Sequence, residues 1–350
     1  MFENILEEYY GKMGKQLSKS FTRYVCAAAT ASSFSTHEVA RHLSKKTGKD
    51  FNTSEKSLAY LLSNSNFQID DSHWRMHMKM IFDLLTEQGI IKRNKPVPIQ
   101  IDFTSNRDYF LILCASIIVN NRAIPIYFTM RNYPKKGKQY NHKKMEGAFL
   151  RGLKHVLSKQ YRYVIVADRG FGNSRIINQC EKIGFDYIIR ITPNMRLETS
   201  DMLGICEDVL QKDGCYEAHI PTWPTWQKNI RIIRHSKNDK KWYLVSNING
   251  LSDNEIARTY ADRFKIEKCF QDMKSSGFDM EKSKIRKYAN YKRMLVICMT
   301  AHALMVMLGN FIATQLPRFF KNFALLAKPT LASLLSAEKL FSYSLVKPNT

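Results

Sequence analysis

Cysteine pairs at metal-binding spacing are missing from this chain. Its seven cysteines (Cys26, Cys114, Cys180, Cys206, Cys215, Cys269 and Cys298) are scattered, and none forms a Cys-x-x-Cys. An odd, dispersed set excludes a zinc framework or a disulfide scaffold and reads as reduced, packed thiols in a cytosolic protein. A signal-peptide pattern is also missing, since the opening MFENILEEYYGKM is acidic and amphipathic. No internal repeat or low-complexity run occurs. Acidic residues are scarce, 31 Asp and Glu against 54 Lys and Arg, leaving a formal net charge of +23. That imbalance attracts polyanions through counterion release, so nucleic acid is the first expected partner and an anionic membrane surface the second.

Charge disappears altogether between Met294 and Ala313, MLVICMTAHALMVMLGNFIA. A run of about twenty uncharged residues matches a membrane span. Thr300, His302, Gly309 and Asn310 interrupt it and no second span accompanies it, so we expect a buried core helix and no membrane.

What is present supports a sizeable core: 44% of residues are hydrophobic and 12% aromatic over 350 residues. Residues 1–95 read as helical. Ser35 with Glu38 suggests a capping box for one helix, Leu58, Leu61 and Leu62 give the next an apolar face, and a third is expected to run from a Ser72 cap to a Gly89 stop. A helix, a short turn and a second helix on a basic chain suggest a helix-turn-helix that enters a DNA groove. His73 and His77 lie four apart without further ligands nearby, so they read as structural rather than metal-binding.

After KRNKPVP the period changes. PIQIDFTS, DYFLILCASIIV and RAIPIYFTM predict an antiparallel meander with turns at Asn106-Arg107 and Asn121-Arg122. A basic loop, a helix near 143–158, the strand YRYVIVA, a helix near 173–183 and the strand FDYIIRI follow, the last strands being parallel because helices connect them. A β-rich insert spans about 196–250. An acidic helix comes next, then two further helices and a tail at 316–350.

Two of these strands carry an aspartate where they leave the core, Asp102 after PIQI and Asp168 after YVIVA. A lone aspartate there is an ordinary turn or cap. Two, with Glu267 on a downstream helix, form an oxygen-donor set suited to hard divalent cations, and a pair of ions about 3.5–4 Å apart is what phosphodiester cleavage uses. On the stretch TYADRFKIEKCFQDMK, Tyr260, Arg263, Glu267 and Lys274 fall near 0°, −60°, −20° and −40° at roughly 100° per residue, which predicts one stripe of a straight helix.

These residues resemble a known family. The order of elements is similar to the ribonuclease H-like fold, an α/β mixed sheet of three antiparallel and then parallel strands flanked by helices, here with a β-rich insertion and a helical N-terminal domain. Asp102, Asp168 and Glu267 resemble the Asp-Asp-Glu triad of bacterial insertion-sequence transposases. Tyr260, Arg263, Glu267 and Lys274 match the Tyr-x2-Arg-x3-Glu-x6-Lys signature of the insertion-sequence-4 family. The resemblance covers about residues 95–310, and the catalytic domain is placed at 96–315. It implies a cut-and-paste DNA transposase that uses two Mg²⁺ or Mn²⁺ ions held by Asp102, Asp168 and Glu267. Tyr260, Arg263 and Lys274 would hold phosphates, and Arg190 would contact DNA. Trp242 would stack on an extruded base, with Trp223 and Trp226 competing for that role and packing within the insert as the alternative. Double-stranded DNA, as inverted-repeat ends and target, would be the partner of a nucleoid-associated cytoplasmic homodimer. Two other readings stay open: a ribonuclease H-like nuclease or resolvase that does not join strands, and a transposase-derived DNA-binding protein without catalysis.

Overall fold

Apolar residues at helical spacing produce five helices before the first strand in the computed structural model, which describes residues 2–107, 109–133, 142–223, 228–237 and 240–315. They are α1 (Phe2–Tyr10), α2 (Lys15–Ala31), α3 (Thr36–Thr47), α4 (Phe51–Ser63) and α5 (Asp71–Glu87). The Ser35 side chain accepts from Glu38 N–H, which is half of the expected capping box; Ser35 N–H donates to Ser33 Oγ, and the Glu38 carboxylate pairs with Arg41. For α5, by contrast, Asp70 rather than Ser72 is the cap, its carboxylate accepting from His73 N–H. Gly48, at a φ of +67°, ends α3, and Asp50 caps α4, so the expected helix, turn and helix are all present.

The strands follow: β1 (Val97–Asn106), β2 (Phe110–Val119) and β3 (Arg122–Asn132). Then come α6 (His142–Val156), β4 (Tyr163–Ala167), α7 (Ser174–Ile183) and β5 (Asp186–Ile191). The insert contributes β6 (Arg196–Glu198), β7 (Leu203–Ile205), the one-turn α8 (Cys206–Val209), β8 (Gly214–Ala218), β9 (Ile230–Lys237) and β10 (Lys240–Ser246). Three helices close the described chain: α9 (Asp253–Ala261), α10 (Phe264–Gln271) and α11 (Tyr288–Gln315). A single long helix thus stands where two were expected after the acidic helix. The 316–350 tail, most of the 131–144 basic loop and Trp226 lie outside the described residues.

These elements form two compact units. One comprises Met1–Ile90, Asn106–Phe110 and the residues from Cys269 on, so the end of the expected catalytic domain packs with the N-terminal helices. α11 is the core element here. It is long and apolar enough to cross a membrane, yet 83% of its apolar window is buried in the protein. Its first turns are tied down by polar contacts: Arg293 donates to the carbonyls of Leu62 and Phe67, and Lys292 donates to that of Ile69.

His73, in the same unit, is buried amid the rings of Tyr10, Phe21, Phe67 and Trp74, and neither ring nitrogen has a hydrogen-bond partner among the described residues. Burial, with the neighbouring His77 and Lys292 charges, pushes its imidazole down to about 3. The unfolded chain therefore takes up a proton below about pH 6.5 that the folded chain refuses, and stability falls as pH drops from about 6.5 towards 3. We expect wild type to lose about 2 kcal/mol more than His73→Leu between pH 6.5 and 5, measured by urea unfolding at each pH. Equal losses would show that another group carries the acid sensitivity.

The second unit, Ile91–Ser105 with Leu111–Lys268, holds one eight-stranded sheet in the order β3-β2-β1-β4-β5-β10-β9-β8. β1, β2 and β3 are neighbours joined by short turns and hence antiparallel, while β4 is parallel to both β1 and β5. This mixed sheet with flanking helices is ribonuclease H-like. The insert is not a separate lobe, because β10, β9 and β8 add antiparallel strands beyond β5 and continue the same sheet. One face of it is covered by α9: Val164, Val166, Ile188, Ile233, Trp242 and Leu244 pack against Ile256 and Tyr260.

Candidate active site

Strand register brings the two aspartates together. Ile101 of β1 pairs with Ala167 of β4, so Asp102 and Asp168 occupy the next position on adjacent parallel strands. Side chains alternate along a strand, which puts both on the face that carries Val164 and Val166, beneath α9. Ala167 in turn pairs with Ile189 of β5, making Arg190 the next position in that ladder. Asp102, Asp168 and Arg190 therefore form a row across three strands.

Backbone amides anchor each acid. Phe103 N–H donates to Asp102 Oδ1 at 2.8 Å, and Gly170 N–H donates to Asp168 Oδ1 at 2.9 Å. The residues that follow also support one another, the rings of Phe103 and Phe171 stacking at 5.5 Å with an interplanar angle of 9°. The sequence offered one clue to this support, an aromatic within a few residues of each acid. The turn behind Asp168 needs glycine at its end. A Cβ on Gly172 would lie 2.6 Å from the Arg190 carbonyl oxygen, a backbone atom that cannot swing aside. Gly172→Ala is expected to cost roughly 1–3 kcal/mol and to displace the turn carrying Asp168. Thermal unfolding measures the cost, and a variant that melts with wild type would show the turn to be free to move.

Glu267 arrives from α10 and is joined to the row by Arg263. The guanidinium donates through Nη1 to Asp102 Oδ2 at 3.2 Å and through Nη2 to Glu267 Oε1 at 2.8 Å. Its side chain is 5% exposed, whereas that of Glu267 is 53% exposed. The straight stripe expected of residues 260–274 does not form. α9 stops at Ala261, α10 starts at Phe264, and Asp272–Ser276 wind into a π-turn that holds Lys274. Tight bonds from Arg263 N–H to the Tyr260 carbonyl and from Lys265 N–H to the Asp262 carbonyl make the break. This break turns Arg263 in to the carboxylates while Tyr260 points into the core. Lys265 then pins α10 by donating to the Asn120 carbonyl at 2.8 Å.

The aromatic candidates are packed. Trp242 is 6% exposed and meets Tyr260 edge-on at 5.1 Å, which is the packing alternative, so base stacking by this ring would require the cluster to open. Trp223 is 5% exposed. Tyr260 is fully buried; burial pushes its phenol up, while the Arg263 and Arg190 guanidinium groups pull it back.

Carboxylate donors suit a hard divalent cation in chemistry. Burial, reinforced by the charges of Asp168 and Glu267, pushes the Asp102 carboxyl up to about 6 against the pull of Arg263 and of the Phe103 amide. Asp102 thus senses both other acids. They are not closed into a ready-made ligand set, however: among the described residues no three His, Cys, Asp or Glu side chains converge closely enough to hold an ion. The reason is visible in the hydrogen bonds, because Arg263 already occupies the cationic position between Asp102 and Glu267. The donor set fits divalent ions provided that the guanidinium yields.

Residues 117–304, more than half of the chain, match the family model described as the transposase DDE domain. The chain belongs to the transposase DDE domain family. Asp168, Glu267 and the signature residues lie within the matched segment, and Asp102 lies upstream of it. Membership implies DNA as the substrate of this transposase. No curated protein matches the chain. Among solved structures, the endonuclease V of Bacillus subtilis is similar at 11% identity, covering 66% of this chain and 91% of that one, with a TM-score of 0.24, too loose a likeness to carry an argument.

Proposed function

We propose that this transposase is a cut-and-paste enzyme similar to those of the insertion-sequence-4 family, acting on double-stranded DNA at the inverted-repeat ends of its element. The observation that carries this reading is the register that sets Asp102 and Asp168 side by side, with Glu267 tied to Asp102 through one guanidinium. Asp102, Asp168 and Glu267 would hold two Mg²⁺ or Mn²⁺ ions, which activate an attacking oxygen and stabilise a leaving one. Arg190, next to Asp168 in the row, would orient a phosphate, as would Arg263 once released from the carboxylates, with Tyr260 and Lys274 assisting.

Each step is an in-line displacement at phosphorus. Water cleaves one strand at the element's end, the freed 3′-hydroxyl attacks the opposite strand to close a hairpin, and after reopening it attacks target DNA. The helix-turn-helix of α3 and α4 would read the ends, since α4 exposes Asn52, Thr53, Lys56 and Tyr60 on one side. A homodimer on nucleoid DNA, in which each subunit cuts the end bound by its partner, completes the proposal.

The test is incubation of the purified protein with Mg²⁺ or Mn²⁺ and a duplex bearing the inverted repeat that flanks its own gene. Nicks followed by hairpins on a denaturing gel are expected. Nicks without hairpin or joined products would make it a nuclease, and binding without cleavage a non-catalytic derivative.

A further inference from the structure

One pocket is not used by the chemistry above. It lies between α6 and α7 and has a volume of about 330 Å³. On α6, Lys144 and Arg151 stand seven residues apart with Gly147 between them, which places all three on one side of the helix. On α7, Arg175 in the first turn and Gln179 one turn later face them across Ile176. Lys143 completes the rim.

Four features point to an anionic ligand. Among the described residues no acid lines the pocket, against four cations. Arg175 is held in place by Glu146, Nη2 to Oε2 at 2.7 Å, and Glu146 is 5% exposed, so a buried carboxylate serves to orient the one arginine in the α7 wall. α7 adds the positive end of its dipole there. Gly147 leaves the floor open, a Cβ there reaching only the flexible end of Arg151 at 3.4 Å.

Position then selects the ligand. α7 begins directly after the turn that carries Asp168. α6 begins at His142, whose ring meets that of Phe103, the neighbour of Asp102, at 5.0 Å. Both helices thus begin near the strand ends that carry the two aspartates, and a strand passing that edge of the sheet along these helices would bring its phosphates over the four cations.

We infer that the α6–α7 pocket is a phosphate subsite for duplex DNA running outward from the carboxylate row. The inference rests on the DNA-acting reading, but its contribution is to affinity and path rather than to cleavage. Lys144 and Arg151 are exposed, and neither is placed in the catalytic machinery. Arg175 is unsuitable for the test, since its loss would leave Glu146 buried without its partner.

The experiment measures fluorescence anisotropy of a labelled duplex with the full chain across a salt series. For the Lys144→Gln/Arg151→Gln pair we expect the slope of log affinity against log salt to shrink by about 2, with affinity down on the order of tenfold or more at 0.1 M salt. A control pair, Lys212→Gln/Lys237→Gln, removes equal charge from exposed positions of the insert. The inference is overturned if the α6 pair binds like wild type, or if the control pair weakens binding as much. Nicking in the presence of Mn²⁺ at saturating protein separates this result from the proposed function. A pair that nicks normally but binds weakly supports the subsite. If no variant nicks and the α6 pair alone loses affinity, the transposase mechanism fails and the subsite stands.

Discussion

Neutralising Asp102, Asp168 or Glu267, as Asp102→Asn, Asp168→Asn or Glu267→Gln, should lower metal-dependent nicking of the end-bearing duplex by on the order of 10³-fold or more. Lewis-acid stabilisation of a phosphoryl transition state is worth several kcal/mol, and each 1.36 kcal/mol is tenfold in rate. Asparagine and glutamine keep the shape of the side chain and one acceptor oxygen, so the Phe103 and Gly170 amides retain partners and the fold should survive. Duplex affinity should hold or rise, because removing a negative charge from a surface proposed to face DNA favours phosphate binding. Single-turnover cleavage on a denaturing gel, alongside anisotropy for binding, separates the two quantities. A variant that cleaves at the wild-type rate removes its residue from the site.

Replacing Arg263 by Met should destabilise the chain by about 2–4 kcal/mol when no divalent ion is present. Removing one partner of a buried ion pair typically costs 3–5 kcal/mol. The lower figure applies here because Glu267 is 53% exposed and water can solvate it once its partner is gone. Asp102, with a side-chain exposure of 19%, has no such recourse. Arg263→Lys should rescue little, since an ammonium cannot bridge two carboxylates with a planar fork. A second signature separates a counterion from a mere packing element: millimolar Mn²⁺ should raise the melting temperature of Arg263→Met more than that of wild type, because an ion would occupy the place that the guanidinium vacates. If Arg263→Met melts with wild type and responds identically to Mn²⁺, the guanidinium does not balance the triad.

The same guanidinium shows where sequence reading ends. Tyr260, Arg263 and Glu267 were recognisable by spacing, and spacing alone predicted a shared stripe on one helix. In three dimensions the helix breaks at Asp262–Arg263: Tyr260 joins the core, while Arg263 turns to the carboxylates and bonds Glu267, which stays half in water. Periodicity assumes a continuous helix, and nothing in the local pattern announced the tight bonds that end α9. Trp242 illustrates a related limit. Its position before the acidic helix admitted either a stacking platform or core packing, and only the extension of the main sheet by β10 sets the ring under α9. For α5 the sequence suggested Ser72 as the cap, whereas Asp70, with an extended backbone, sets its carboxylate on the His73 N–H.

Local chemistry alone was enough to predict the class of the fold, to single out two aspartates at strand ends, and to predict an attraction to polyanions. Alternating apolar residues make strands, helical linkers between them force parallel pairing, and an excess of 54 bases over 31 acids draws phosphate whatever the fold. Tertiary structure alone decided which residues share the site. Asp102 and Asp168 are neighbours because β1 and β4 pair in one register out of several, and a slip by one residue would turn the aspartate to the opposite face. Lys144, Arg151 and Arg175 line one pocket because α6 and α7 lie side by side. Such long-range pairings depend on how the whole core packs, and no stretch of sequence specifies them by itself.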